Sequence, residues 1–517
     1  MIFWVFYFSA IVYWQISQAI NANAFLNLAL CLLVFTPIPG KKANTKTNAK
    51  IIKIFRSILG YVLGVVLLWH ESYLPPFKVI WNFLARPDLR PSTAFIFNFL
   101  SSHIGFGILI ILLPAIAISI LFKYTKLKKY FLIFIAICVL VLFITQKTAV
   151  SNNFTDRFFA QEKTKSFKIS ESSENKFDIV ILQICSLSWA DLRYADSNAK
   201  PFFQKFDYIF TNFNSATPYS DPAALRLLQS ECGQKTEGEI FAPVPDKCYL
   251  LNNLRALGYS TYSAWNHDGT YSNFNSIVQE FGKADPSISI SDLKPVELSF
   301  DGSPIYSDKE VLDSWLKERE KNSNKSALFY NSITLHTGST YINGQKLSEK
   351  DEYHLASQNI LSDLDSFFNK IKQSNRYTVV ILLGEHGAAL EGSNIQPATV
   401  RDIPLPSITH VPAAIKIFGP GFNEQANNQA LILDSPTSYP ALIKVLSNLL
   451  EKNPANRSQL QSHQVTQNLP QTELVSESES SLVFQDVSGV FYKSKKDKNW
   501  NQLPNSFMVG PSDYMLK

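Results

Sequence analysis

The first 40 residues hold no charged side chain, and apolar stretches recur at about 2–20, 23–38, 53–70, 104–122 and 130–146. As helices rising about 1.5 Å per residue, they approach the ~30 Å of a bilayer core, the second being the shortest. This pattern predicts about five membrane-spanning helices within residues 1–147. A cleaved signal peptide fits the first stretch poorly, because no basic segment precedes it and another apolar stretch follows at once.

Basic residues orient the helices. Lys41, Lys42, Lys46, Lys50, Lys53 and Arg56 crowd one connection, and Lys123, Lys126, Lys128 and Lys129 another. Cytoplasmic loops collect such residues, so the N-terminus is expected inside and everything beyond residue 147 outside. Residues 1–150 carry 14 basic and 2 acidic side chains, or +12, so the whole-chain charge of +5 leaves −7 for residues 151–517. The basic balance therefore reports topology, and no nucleic-acid partner is expected.

Cys31 and Cys138 fall inside apolar stretches and read as packing residues. Cys232 and Cys248, separated by a short polar loop on the outer side, are candidate disulfide partners. Cys185 has no such companion.

With 517 residues the chain is too long for one ordinary core. Residues 148–175 read as a linker and 176–450 as an α/β domain. In that domain the strand-like runs FDIVILQIC, KSALFYNSITL and TVVILLGEH are interspersed with the helical patterns AALRLLQSEC and YHLASQNILSDLDSFFNKIKQS. Such an order predicts a mostly parallel central sheet. Residues 451–517 turn polar and close with SLVFQDVSGVFYKS, a small β hairpin expected to pack on the α/β domain.

Two of these runs end in metal-ligand types, Cys185 in one and Glu385 with His386 in the other. In open α/β sheets ligands gather outside the carboxyl ends of strands, where loops from separate strands meet. A thiolate, a carboxylate and an imidazole form a zinc-type donor set. Between them, Ser220 stands at the start of a helix in NFNSATPYSDPAALRLL. It reads either as a simple cap or as a hydroxyl placed where a helix N-terminus favours anions, ready to attack phosphorus.

The segments ICSLSWADL, FNSATPYSDPAALRLLQSECGQ, FDGSPIY, LHTG, GEHGAAL and RDIPLPSIT resemble the BcsG family of cellulose biosynthesis, membrane-bound phosphoethanolamine transferases of the alkaline phosphatase superfamily. The resemblance runs from about 176 to 445 and implies an alkaline-phosphatase-like fold behind a multi-pass helical membrane domain. It further implies that Cys185, Glu385, His386 and Ser220 hold Zn2+, that Ser220 is the nucleophile with Tyr219 beside it, and that His336 and Arg401 handle substrate. Cysteine, serine and glutamate at these positions set the cellulose-modifying branch apart from relatives that carry glutamate, threonine and aspartate.

The activity implied by the resemblance is transfer of phosphoethanolamine from phosphatidylethanolamine to the glucose 6-OH of cellulose, through a covalent Ser220 intermediate, at the bacterial inner membrane. The catalytic domain is then periplasmic, and contact with the cellulose synthase complex is implied. A related membrane phosphoethanolamine or glycerol-phosphate transferase acting on lipid A or another periplasmic glycan stays open, as does a non-catalytic scaffold of a polysaccharide synthase. Asp221 departs from the family pattern and sets a negative charge beside the nucleophile unless it turns away. His267 lines the cleft or caps a turn, His336 is a site residue or a core-edge histidine, and His410 is a reserve candidate.

Overall fold

The computed structural model of the chain describes residues 2–16, 20–36, 46–72, 81, 130–145, 153–166, 168–171, 176–341, 347–422, 430–454, 456–460, 465–497 and 499–515. It divides into two compact units, one built mainly from residues 1–80 and 96–149, the other mainly from residues 150–391 and 398–517.

In the first unit four of the five expected apolar segments are helical: α1 (Ile2–Ile16), α2 (Ala24–Phe35), α3 (Lys46–Glu71) and α4 (Phe131–Thr145). The segment at 104–122 lies outside the described residues. Among the described residues, Ile51–Glu71 is the one stretch long and apolar enough to cross a membrane by length and composition. The shorter helices pack around Trp4, Tyr7, Phe8, Ile11, Ile135 and Leu142. At Gly60 α3 comes so close that an added Cβ would meet Val34 at 2.8 Å, a close helix approach that a glycine permits. The buried Glu71 carboxylate accepts from Asn27 Nδ2 at 2.7 and 2.9 Å and from the Asn23 N–H at 2.9 Å, tying α2 to the end of α3.

The second unit is organised by a seven-stranded sheet: β1 (Asp178–Ile184), β2 (Tyr208–Asn214), β3 (Ser260–Trp265), β4 (Ser326–Ser332), β5 (Thr378–Gly384), β6 (His410–Phe418) and β7 (Leu431–Leu433). Their order is β7-β2-β6-β5-β1-β4-β3, and β6 alone runs against its neighbours. The sheet is thus mixed and mostly parallel, as the alternation of strands and helices predicts. Strands buried on both faces need continuous apolar sequence, which DIVILQI and TVVILLG supply.

Alternate residues of β1 face two cores. Ile179 and Ile181 pack with Leu442, Leu446 and Leu449 of helix Tyr439–Lys452, whereas Val180 and Leu182 pack with Ile360, Leu364 and Phe367 of helix Glu349–Ser374. Gln183 pairs with both Asn331 of β4 and Leu383 of β5, so these three central strands end at one level and deliver their next residues to one edge.

The expected hairpin is the centre of a four-stranded antiparallel sheet, β8 (Leu474–Glu477), β9 (Ser481–Asp486), β10 (Gly489–Ser494) and β11 (Asn501–Gln502). Helix α5 (Phe154–Glu162), within the stretch read as linker, packs on this sheet. The Phe154 ring stacks on Phe484 at 4.5 Å, and Phe484 meets Trp500 edge-on at 4.7 Å. A disulfide joins Cys232 to Cys248, the pair expected on the outer side.

Candidate active site

Three strand ends and one helix start build the site. β1 closes with the Cys185 N–H donating to Ser332 O at 2.8 Å, after which Ser186 takes a left-handed φ of 59° and turns the chain sharply. Ser188 then caps helix α6 (Trp189–Tyr194) by accepting from the Asp191 N–H at 3.1 Å.

β5 delivers Glu385 and His386 between two glycines that packing requires. A Cβ on Gly384 would lie 2.2 Å from Leu187 O, and one on Gly387 2.5 Å from Asp191 Oδ2. The loop beyond them hangs on the buried Asp191 carboxylate, which accepts from the Ala388 N–H at 2.7 Å, the Leu390 N–H at 2.8 Å and the Ser188 hydroxyl at 2.6 Å. Nothing in the sequence marks Asp191 or Asn331 as site-building, although the first lies in WADL beside Cys185 and the second in the strand-like run that ends NSITL.

Ser220 is the first residue of helix α7 (Ser220–Leu228), with Tyr219 at the cap position in extended backbone. Its Oγ lies 3.5 Å from Cys185 Sγ and 3.4 Å from His386 Nε2, and those two atoms are 3.7 Å apart. Donor atoms of Cys185, Glu385 and His386, all buried, lie within 4.8 Å of one another, a group that could hold a metal ion. His386 Nδ1–H donates to Gly387 O at 2.9 Å, which leaves the Nε2 lone pair facing the cluster.

The electrostatics fit a cation there. Burial pushes the Cys185 thiol up to about 12, with the Glu385 charge adding to the rise, and the Glu385 carboxyl up to about 7, with the Asp221 charge adding there. Glu385 Oε2, fully buried, accepts no hydrogen bond among the described residues. Two anionic donors with an orphaned carboxylate oxygen are an expensive core feature on their own, and a divalent cation between them removes the penalty.

The other expected residues surround this cluster. Arg401 reaches it, its Nη1 donating to Ser186 Oγ at 3.2 Å and its Nη2 to His336 Nε2 at 3.2 Å. Since His336 Nδ1–H donates to Thr337 O at 2.9 Å and its ring stacks on Phe300 at 4.8 Å, this histidine orients the guanidinium. Burial and the Arg401 charge push His336 down to about 3, so it stays neutral. Tyr219, the N-cap residue of α7, is 38 % exposed. The Asp221 carboxylate accepts from the Ser272 hydroxyl, which holds it in the loop of residues 268–273. His267 lies beneath the site, bonded to Asn331 at 3.2 Å.

His410 is a fold residue. It opens β6, is 6 % exposed, and donates from Nε2 to Thr211 O on β2 at 2.8 Å. Burial holds its pKa down at about 4 against an ordinary 6.5. A depressed histidine adds stability that is complete above the unfolded value and lost as pH falls toward the folded one, here on the order of 3 kcal/mol. The thermal midpoint is expected to drop between pH 6.5 and 4, and His410→Gln, which keeps an N–H donor, to flatten that slope in melting scans. An unchanged slope would assign the acid lability to other groups.

Comparison with known proteins accords with this geometry. The sequence model for the C-terminal domain of cellulose biosynthesis protein BcsG matches residues 143–500. Cellulose biosynthesis protein BcsG of Escherichia coli K12 is 36 % identical over 343 residues, 65 % of this chain and 60 % of that protein. Its counterpart from Salmonella typhimurium LT2 is 34 % identical over 363 residues, 69 % of this chain and 64 % of that protein. The chain thus spans less than two thirds of the length of these curated relatives. Among solved structures, a protein of the alkaline phosphatase superfamily from Vibrio parahaemolyticus aligns with a TM-score of 0.47 at 16 % identity, over 69 % of this chain and 91 % of that one. The family match takes in every strand end and helix start that builds the site, and the chain belongs to the cellulose biosynthesis protein BcsG family.

Proposed function

We propose that this chain is a zinc-dependent transferase with an alkaline-phosphatase-like catalytic unit, moving phosphoethanolamine from phosphatidylethanolamine to the glucose 6-OH of cellulose. The observation that carries this reading is the Ser220 hydroxyl, set at a helix N-terminus within 3.5 Å of two metal-ligand atoms from different strands. In this reading Cys185, Glu385, His386 and Ser220 hold zinc, which their mixed thiolate, carboxylate and imidazole chemistry suits. The ion supplies Lewis acidity that favours ionisation of a hydroxyl and neutralises phosphoryl charge.

The protein groups do the rest. A bond forms from Ser220 Oγ to phosphorus while the bond from phosphorus to the diacylglycerol oxygen breaks, and the serine proton leaves with the diacylglycerol. In the second half, the C6 oxygen of a glucose unit bonds to phosphorus, the Ser220 ester breaks, and the C6 proton returns to the serine. N–H groups opening α7 and the guanidinium of Arg401 face the phosphoryl oxygens. Asp221 is held by the Ser272 hydroxyl, which offsets part of its charge beside the nucleophile. The helical first unit is read as a multi-pass anchor with a cytoplasmic N-terminus in the bacterial inner membrane, the catalytic unit being periplasmic and beside the cellulose synthase complex. Tethering gives a lipid donor a high effective concentration at the site.

The test is transfer by the full chain in vesicles containing phosphatidylethanolamine labelled in its headgroup, with cello-oligosaccharide supplied. Phosphorus NMR and mass spectrometry are expected to show label on C6. In parallel vesicles that also hold lipid A, label on its sugars alone would replace the acceptor, and a zinc-loaded protein that transfers nothing would favour the scaffold.

A further inference from the structure

Glu385 has two carboxylate oxygens, and the structure treats them differently. Oε1 accepts from Asn331 Nδ2 at 2.5 Å, whereas Oε2 stands 3.9 Å from His386 Nε2 and accepts no hydrogen bond among the described residues. Asn331 is the penultimate residue of β4, one strand over from β1, and is 1 % exposed.

An amide can turn over and present oxygen instead of nitrogen, so something must fix its sense. Asn331 Oδ1 lies 3.2 Å from His267 Nε2, and His267 Nδ1 accepts from the Gly269 N–H at 3.1 Å. With Nδ1 acting as acceptor, the neutral ring carries its proton on Nε2 and donates to Oδ1. The amide nitrogen is thereby turned toward Glu385. One chain of donors therefore runs from Gly269 through His267 and Asn331 to Glu385 Oε1.

The stretch WNHDG is shaped to hold this chain. The His267 ring is buried between Trp265, 6.2 Å away and nearly parallel, and Phe274, 5.3 Å away and edge-on. Gly269 has a φ of 69°, and a Cβ there would lie 2.1 Å from Asn275 Oδ1, so only glycine delivers its N–H to Nδ1. Asn266 pins the end of β4 from the same turn, accepting from the Ile333 N–H at 2.9 Å and donating to Thr334 Oγ1 at 2.8 Å.

We propose that His267 and Asn331 are positioning residues that occupy Glu385 Oε1 and so select Oε2 as the single oxygen offered to the metal. This rests on the metal reading of the Cys185, Glu385 and His386 cluster. Ligand carboxylates are commonly oriented by such outer hydrogen bonds, and losing one costs metal affinity without removing a ligand.

The experiment measures zinc affinity of the full chain in detergent by competition with a chromogenic chelator, alongside thermal melting of the zinc-free protein. Asn331→Leu, which keeps volume but loses the donor, is expected to weaken zinc by about 10- to 100-fold. His267→Phe, which keeps an aromatic ring between Trp265 and Phe274 but loses Nε2–H, is expected to weaken it about tenfold, with zinc-free melting near the parent's. His267→Gln restores a donor and is expected to recover most of the affinity. Zinc binding unchanged in both Asn331→Leu and His267→Phe would overturn the relay while leaving the metal site standing. A parent chain that takes up no more zinc than Cys185→Ser would overturn the metal reading and the relay with it.

Discussion

Replacement of Ser220 by alanine is expected to abolish phosphoethanolamine transfer, with a loss on the order of 10⁴-fold or more, because the residue proposed to carry the covalent intermediate is gone. The fold should not respond. Ser220 is the first residue of α7, partly exposed, and the capping position belongs to Tyr219, so alanine removes no hydrogen bond that starts the helix. Zinc should still bind through Cys185, Glu385 and His386. Mass spectrometry of the acid-quenched parent protein after exposure to donor lipid is expected to find phosphoethanolamine on the peptide containing Ser220, and none in the variant. A variant that keeps transferring would remove Ser220 from the mechanism and leave it a first-turn residue.

The second large effect concerns the metal. Chelation is expected to abolish transfer and added zinc to restore it, and Cys185→Ser to weaken zinc binding by more than the ~10- to 100-fold that loss of an outer hydrogen-bond partner costs. The metal-free site holds a thiol pushed up to about 12 and a carboxyl pushed up to about 7, so both are protonated in mildly acid solution. Zinc must displace those protons. Affinity therefore rises with pH, and it falls most steeply below about 7, where Glu385 gains its proton. Calorimetric titration in buffers of different ionisation enthalpy measures the protons released. Zinc uptake without proton release, or metal content untouched in Cys185→Ser, would exclude the cysteine as a ligand.

Much of this site is legible without coordinates, and the reason is local. A parallel strand buried on both faces must be continuously apolar, so FDIVILQIC and TVVILLGEH announce where they stop, and the residue types at the stops announce their chemistry. What is not legible depends on distance along the chain. Asp191 holds backbone N–H groups 197 and 199 residues away, and nothing in WADL points to them. The reversed direction of β6 is hidden for a similar reason, since HVPAAIKIF is buried on both faces and reads like its parallel neighbours. His267 illustrates the limit most clearly. Its sequence surroundings suggest a turn, and only the register of β3 on β4, which pairs Trp265 with Asn331, brings the turn to the amide that bonds Glu385.

The packing of α5 on the C-terminal sheet bears on the timing of folding. Phe154, Phe158 and Phe159 leave the ribosome more than 300 residues before Phe484, Phe491 and Trp500, the side chains that cover them. Until synthesis reaches β9, β10 and Trp500, these three phenylalanines have no cover from the C-terminal sheet, and the contact that covers them is long in sequence. The second unit is therefore completed only after translation is nearly finished, and its closure is a late, long-range step.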